Sequence, residues 1–205
     1  LMESPVFFAM LALWWFSGRR GDIARLAFFL LFELHYFQRS FIFPALIRGN
    51  GKMPLSIILM AVAFNLLNAG MQGGWIFYVS EPEYYTLEWL KTPQFIAGTI
   101  VFLSGMFINI QSDSIIRGLR KPGDTRHYLP KKGLYRYVTS ANYVGEFVEW
   151  CGVALLTWSW AGVLFAVWTF ANLAPRAARI YERYKVEFAD ELDVKKVKRM
   201  LPFIW

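Results

Sequence analysis

The chain has 205 residues, of which 56% are hydrophobic, 19% aromatic and only 18% charged. That balance is too apolar for an ordinary soluble domain and excludes disorder, collagen and a disulfide-stapled secreted scaffold. Twenty-two basic against 15 acidic residues leave a formal +7, which alone would admit nucleic acid or an anionic membrane leaflet as partner; the apolar excess favours the membrane and no nucleic acid.

A helix needs about 20 apolar residues to cross a hydrocarbon core of ~30 Å, and on that measure six membrane helices are expected. The first, 3–17, is short. The second, 22–47, is long and interrupted by Glu33, His35, Gln38 and Arg39. The third, 54–79, lies in a run without an ionisable acid or base, and the fourth spans 92–117. The fifth and sixth, 140–158 and 161–187, are separated by a break expected between Trp158 and Gly162. The fold class is therefore all-α, a multi-pass transmembrane helical bundle. With no repeat, low-complexity tract or linker, residues 1–205 read as one integral-membrane domain. The start at Leu1 shows no basic n-region and no cleavage site, so no signal peptide is expected.

Basic loops stay on the cytoplasmic side. The 117–137 segment holds Arg117, Arg120, Lys121, Arg126, Lys131, Lys132 and Arg136, and the tail from Arg176 adds seven more lysines and arginines up to Arg199. Both are expected inside, which puts the C-terminus in the cytoplasm. The 80–90 connection, with Glu81, Glu83 and Glu88 and no basic residue, belongs outside. The GRRGD turn at 18–22 breaks this pattern, because alternation places its two arginines outside.

Charged groups at membrane depth are costly and usually face a partner, a cavity or a ligand. Helical spacing gathers them into seams: Glu33, Tyr36 and Arg39; Asn109, Asp113, Arg117 and Arg120; Asn142, Glu146, Glu149 and Trp150; Asn172, Arg176, Arg179 and Arg183. Single amides such as Asn65 and Asn68 read as interhelical hydrogen bonds. The ensemble carries an arginine excess toward one face, which fits a polyanionic ligand such as a dinucleotide pyrophosphate. Neither a G-x-G-x-x-G nor a P-loop is present, so such a ligand would bind among helices. One cysteine, Cys151, and two histidines, His35 and His127, offer no metal site, and no nucleophile elbow supports Ser/His/Asp hydrolysis.

Several strings carry a resemblance: HYFQRSF (35–41) with the turn RGNGKMP (48–54), GMFINIQSDSIIRGLRKPGD (105–124), KGLYRYVTSANYVGEFVEWCGVALLTWS (132–159), and the closing PRAARIYERY and PFIW. Together they resemble the steroid 5α-reductase (3-oxo-5α-steroid 4-dehydrogenase) family over nearly the whole chain, and MESP at the start is similar to that family's glutamate segment. The family usually has seven helices, one more at the N-terminus than the six seen here. The resemblance implies an NADPH-dependent membrane reductase that adds hydride across the Δ4 double bond of a 3-oxosteroid. It implies Glu3 and Tyr36 as donors to the 3-oxo group, where they would stabilise the developing enolate; Glu3 can donate only as the neutral acid, a form that burial favours. It also implies Asn109, Asp113, Arg120, Asn142, Glu146 and Tyr184, with Arg39 nearby, as the dinucleotide site, and Phe64 and Trp150 as walls of an apolar steroid slot. The partners expected are a steroid or sterol-like lipid and membrane lipid, with the chain a monomer in the endoplasmic reticulum of a eukaryote or the inner membrane of a bacterium. The alternatives are a reductase of another lipid enone or enoyl-CoA, an isoprenylcysteine-methyltransferase-like enzyme using S-adenosylmethionine, and a non-enzymatic lipid-binding bundle.

Overall fold

The structure is a computed structural model that describes residues 3–47, 54–121, 124 and 126–205; the RGNGKM turn at 48–53 and most of the KPGDT stretch lie outside the described residues. Among the described residues the regular structure is helical, with no named strand. Six helices stand within a few residues of their expected places: α1 (Ser4–Phe16), α2 (Ile23–Phe37), α3 (Leu55–Gly74), α4 (Pro93–Gly118), α5 (Ala141–Thr157) and α6 (Trp160–Glu187). A π-helical turn (Gln38–Ile42) and an α turn (Phe43–Leu46) prolong α2, and a π turn (Trp75–Val79) prolongs α3.

The helix ends follow local chemistry. Asp22 caps α2 by accepting from the amides of Ala24 at 3.0 Å and Arg25 at 3.2 Å, satisfying two orphan donors. The π turn in the second helix comes directly before Pro44, which has no N–H to give and whose ring crowds a regular α ladder; the wider turn absorbs that mismatch. The expected break between the last two helices is real: Trp158 leaves α5 in the left-handed region at φ 47°, and the Ser159 hydroxyl then caps α6 by accepting from Gly162 N at 3.0 Å.

The chain forms two compact units, Leu1–Ile96 and Ala97–Trp205. In the first, α1 lies against α3 so closely that a Cβ on Gly73 would stand 2.8 Å from Leu13 Cδ1 and from Met10 Sδ. Trp14 of α1 stacks on Phe29 of α2 with ring centroids 4.7 Å apart. At the end where α2 begins, the fully buried Arg25 donates to the carbonyls of Ile76 at 2.9 Å and Glu81 at 2.8 Å and pairs with the Asp22 carboxylate. The arginines that defied the charge pattern are engaged there too: Arg19 donates to the Ser80 carbonyl and Arg20 lies over the Trp15 ring. The GRRGD turn and the acidic 80–90 connection therefore share one end of this unit, as helix alternation requires.

In the second unit, α4 and α5 run antiparallel in backbone contact. A Cβ on Gly98 would stand 2.3 Å from Leu156 N, and one on Gly152 would stand 2.4 Å from Phe102 N. Between these two points Gly105 and Gly145 face one another in the same way, so glycines seven residues apart on each helix form one continuous seam, the small-residue interface typical of membrane helices. The sixth helix packs on α5 through Trp150 and Phe165, edge to face at 4.4 Å. A cluster of Tyr135, Val138, Ala141, Val144, Leu173, Ala177 and Met200 closes one end. There the tail is laced to the segment before α5, with Thr139 N donating to Lys198 O at 2.9 Å and Ser140 N to Arg199 O at 3.2 Å.

Two helices, Leu55–Val79 and Pro93–Gly118, are long and apolar enough to cross a membrane, and only 22% and 28% of their apolar windows are buried. Leu55, Leu59, Met60, Leu67, Ile100 and Phe107 stand out from the surface with half or more of their area open, the pattern of a helix solvated by hydrocarbon.

Candidate functional site

The expected site residues fall into two clusters, one in each unit. In the first unit the π turn of the second helix sets Arg39 against the N-terminus of α1, where its guanidinium pairs with Glu3 through both carboxylate oxygens, Nε to Oε2 at 3.3 Å and Nη2 to Oε1 at 3.4 Å. Both side chains are only about one-fifth exposed. Tyr36, one turn earlier and buried, accepts from Asn68 Nδ2 at 2.8 Å and donates a long bond of 3.5 Å to Asn65 Oδ1. The two amides make the interhelical bonds expected of them, and those bonds end on the candidate carbonyl donor. Phe64, half-buried, sits beside Asn65 on α3.

The arrangement has chemical consequences. In this ion pair both Glu3 carboxyl oxygens accept from the Arg39 guanidinium. The Tyr36 hydroxyl thus receives a short bond from Asn68 and gives a long one to Asn65, and a hydroxyl that accepts a bond is polarised as a donor.

In the second unit the glycine seam fixes the register of α4 on α5, and the polar seams meet as a consequence. Asn109 Nδ2 donates to the Asn142 carbonyl at 2.9 Å, and Asn142 Nδ2 donates to Asp113 Oδ1 at 3.3 Å. Asn109 and Asp113 are buried. Tyr135, in the short 3₁₀ turn Gly133–Arg136, is within electrostatic reach of Asp113 and Tyr184; burial, then the Asp113 charge, pushes its hydroxyl well above the usual tyrosine range. Arg120 is exposed just past α4 and within reach of Tyr184 on α6. Glu146 is half-buried on α5. Trp150 is buried edge-on to Phe165. Tyr135 was not singled out from the sequence, because a tyrosine in a basic loop carries no signal until the fold buries it.

The donor set of this cluster fits a dinucleotide: amides and a carboxylate for a carboxamide and ribose hydroxyls, and a guanidinium for phosphate. Among the described residues no group of three or more His, Cys, Asp or Glu is placed to hold a metal ion.

The model of one protein family, described as "3-oxo-5-alpha-steroid 4-dehydrogenase", matches residues 51–205. The chain belongs to this family. Members of the 3-oxo-5-alpha-steroid 4-dehydrogenase family similar to it include "3-oxo-5-alpha-steroid 4-dehydrogenase 1" of Bos taurus, 44% identical over 85% of this chain and 66% of that protein, and its Homo sapiens counterpart, 42% identical over 85% and 66%. "Steroid 5-alpha-reductase DET2" of Arabidopsis thaliana is 34% identical over 100% of this chain and 79% of that protein. The chain thus spans about two thirds of the length of these mammalian relatives. The matched family region takes in Phe64 and the whole second-unit cluster, and the plant dehydrogenase's match extends over Glu3, Tyr36 and Arg39. The family is one of steroid oxidoreductases, so a nicotinamide cofactor is implied.

Proposed function

We propose that the chain is an NADPH-dependent reductase of the Δ4 double bond of 3-oxosteroids, yielding 5α-dihydro products. The observation that carries the reading is the match of residues 51–205 to the steroid dehydrogenase family, and the two clusters give it chemistry. Asn109, Asp113, Arg120, Asn142, Glu146 and Tyr184 would hold the dinucleotide. When bound, the reduced nicotinamide supplies the hydride. Phe64 and Trp150 are the apolar side chains proposed to meet the steroid, which would enter from the bilayer.

Hydride addition to the β-carbon of an enone moves charge onto the carbonyl oxygen, and donors aimed at that oxygen lower the barrier. Tyr36 is the stronger donor, because its hydroxyl is neutral, buried and already polarised by Asn68. Glu3 takes part as a donor only in its acid form. Protonation of the carbon beside the carbonyl completes the reduction; of the two possible sources, solvent and Tyr36, this reading takes Tyr36.

In the membrane the basic segments 117–136 and 176–199 would hold the cytoplasmic face, with all six helices spanning and the C-terminus inside, in the endoplasmic reticulum of a eukaryote or the inner membrane of a bacterium. The protein would act as a monomer and as a single domain. The runner-up is reduction of another lipid enone or an enoyl-CoA. The test is NADPH consumption by the purified protein in detergent with a Δ4-3-oxosteroid against an enoyl thioester. Turnover of the steroid alone is expected, and turnover of the thioester alone selects the runner-up.

A further inference from the structure

We infer that Glu33 is the buried acid that restores the Tyr36 proton after each turnover, a proton-supplying residue standing one helical turn behind the carbonyl donor; the inference rests on the reading of Tyr36 given above. Glu33 lies on α2, is 7% exposed, and neither of its carboxyl oxygens has a hydrogen-bond partner among the described residues. Such a group is rare in a folded protein and asks for an explanation. A carboxylate left without cation or donor in an apolar interior is too costly to keep, so the group is carried as the neutral acid.

Its neighbours supply the rest of the relay. Long side chains on a helix lean back over the preceding turn, so the Tyr36 ring lies over the turn that carries Glu33, as its 4.8 Å contact with Phe32 records. Asn68 gives its Nδ2 to Tyr36, while its Oδ1 is buried without a hydrogen-bond partner among the described residues. An acid one turn away on α2 and an amide on α3 thus stand next to Tyr36, the kind of polar setting that a bridging water completes. Glu3 does not fill this role, since both of its carboxyl oxygens are engaged by the Arg39 guanidinium.

The step balances. Hydride from the reduced nicotinamide reaches the β-carbon, and the double-bond electrons move to the enolate. The Tyr36 O–H breaks as a C–H bond forms at the carbon beside the carbonyl. The phenolate takes a proton from the bridging water, which takes the Glu33 proton as that O–H breaks. Solvent returns a proton to Glu33 after the product leaves. Both electrons come from the nicotinamide and none from Glu33.

The experiment uses the full chain in nanodiscs with NADPH and a Δ4-3-oxosteroid, comparing wild type, Glu33→Gln, Glu33→Asp and Tyr36→Phe. Glu33→Gln is expected to lower kcat by ~10- to 100-fold, the scale of a lost proton donor, with steroid KM and NADPH Kd within about twofold of wild type. Glu33→Asp is expected to recover most of the loss, and the solvent deuterium effect on kcat is expected to rise in Glu33→Gln. Without any turnover, the infrared difference spectrum between wild type and Glu33→Gln should show a neutral carboxylic-acid carbonyl band lost in the variant. Wild-type kcat in Glu33→Gln, or no acid band lost, overturns the inference. An impaired Tyr36→Phe beside an unimpaired Glu33→Gln removes the relay alone; full turnover by Tyr36→Phe brings down the donor reading and the relay with it.

Discussion

Gly105 and Gly145 each occupy the space that a Cβ on the other would need: a Cβ on Gly105 would stand 2.4 Å from Glu149 N and 2.7 Å from Gly145 O, and one on Gly145 would stand 2.4 Å from Asn109 N and 2.8 Å from Gly105 O. The obstacle on both sides is main chain, which cannot swing aside, so the helices must separate to admit a methyl group. Gly145→Ala is therefore expected to destabilise the protein by about 1–3 kcal/mol. Because the same contact sets the register of Asn109 and Asp113 on Asn142, it should also weaken NADPH binding. A melting temperature and an NADPH affinity both equal to wild type would show that the seam is not what fixes the register.

Arg25 is the other place where a single side chain holds a junction. Besides Asp22 and the carbonyls of Ile76 and Glu81, it donates to the Ser80 hydroxyl at 3.3 Å and to the carbonyls of Pro82 at 3.3 Å and Tyr85 at 3.4 Å. Arg25→Met keeps the bulk but leaves several buried acceptors without donors, and a cost of about 3 kcal/mol is expected. Arg25→Lys should rescue little, since three donors on one nitrogen cannot reproduce the guanidinium fork. Thermal unfolding in detergent decides; a lysine variant as stable as wild type would remove the fork from the explanation.

These two features mark the limit of what the sequence made legible. The six helices could be placed because apolar runs, caps and the Trp158–Gly162 break act over a few residues. The partners Asn109, Asp113 and Asn142 could be named because their motifs are long and ordered. The glycines on α4 and α5 carry no signal in the sequence alone, since their meaning lies in a pairing between helices some forty residues apart. Arg25 yields no reading from the sequence, because only the fold brings the carbonyls that follow α3 over it. The ion pair of Glu3 with Arg39 was hidden for the same reason, although each residue was a candidate separately.

The contrast between Glu3 and Tyr36 yields a graded expectation. Tyr36→Phe removes the hydroxyl that is neutral and ready to donate, and kcat for a Δ4-3-oxosteroid should fall by ~100-fold or more, as for other carbonyl-stabilising donors. Glu3→Gln abolishes the ion pair yet keeps an N–H donor, so its loss should be smaller. NADPH binding should survive both changes. Equal full turnover in both variants would withdraw the two residues from the carbonyl.

Arg120 is expected to act through charge toward the cofactor's phosphates. Arg120→Ala should raise the NADPH Kd about tenfold, the equivalent of ~1.4 kcal/mol for a lost charge-assisted contact. Arg120→Lys should restore part of this, because a point charge still attracts phosphate without matching it in two places. Titration by nicotinamide fluorescence measures both, and an unchanged Kd in the alanine variant would take Arg120 out of the cofactor site.

The C-terminal tail reaches the segment before the proposed cofactor cluster without belonging to it. Lys198 and Arg199 offer their carbonyls to the amides of Thr139 and Ser140, and Lys198 N returns a bond of 2.8 Å to Tyr137 O. These contacts pin the stretch that runs from Tyr135 into the first turn of α5, where Asn142 stands. Met200, fully buried, adds its side chain to the cluster around Tyr135 and Ala141. Ending the chain after Val197 would remove three of these bonds and open a methionine-sized gap, a loss of several kcal/mol from the end of the unit that carries the cofactor residues. The truncated protein should melt earlier and bind NADPH more weakly, while Met200→Leu, which keeps the tail and nearly the same volume, should cost less than about 1.5 kcal/mol. If the truncation left NADPH affinity and melting unchanged, the lacing of the tail to residues 137–140 would have no part in holding Asn142 in place.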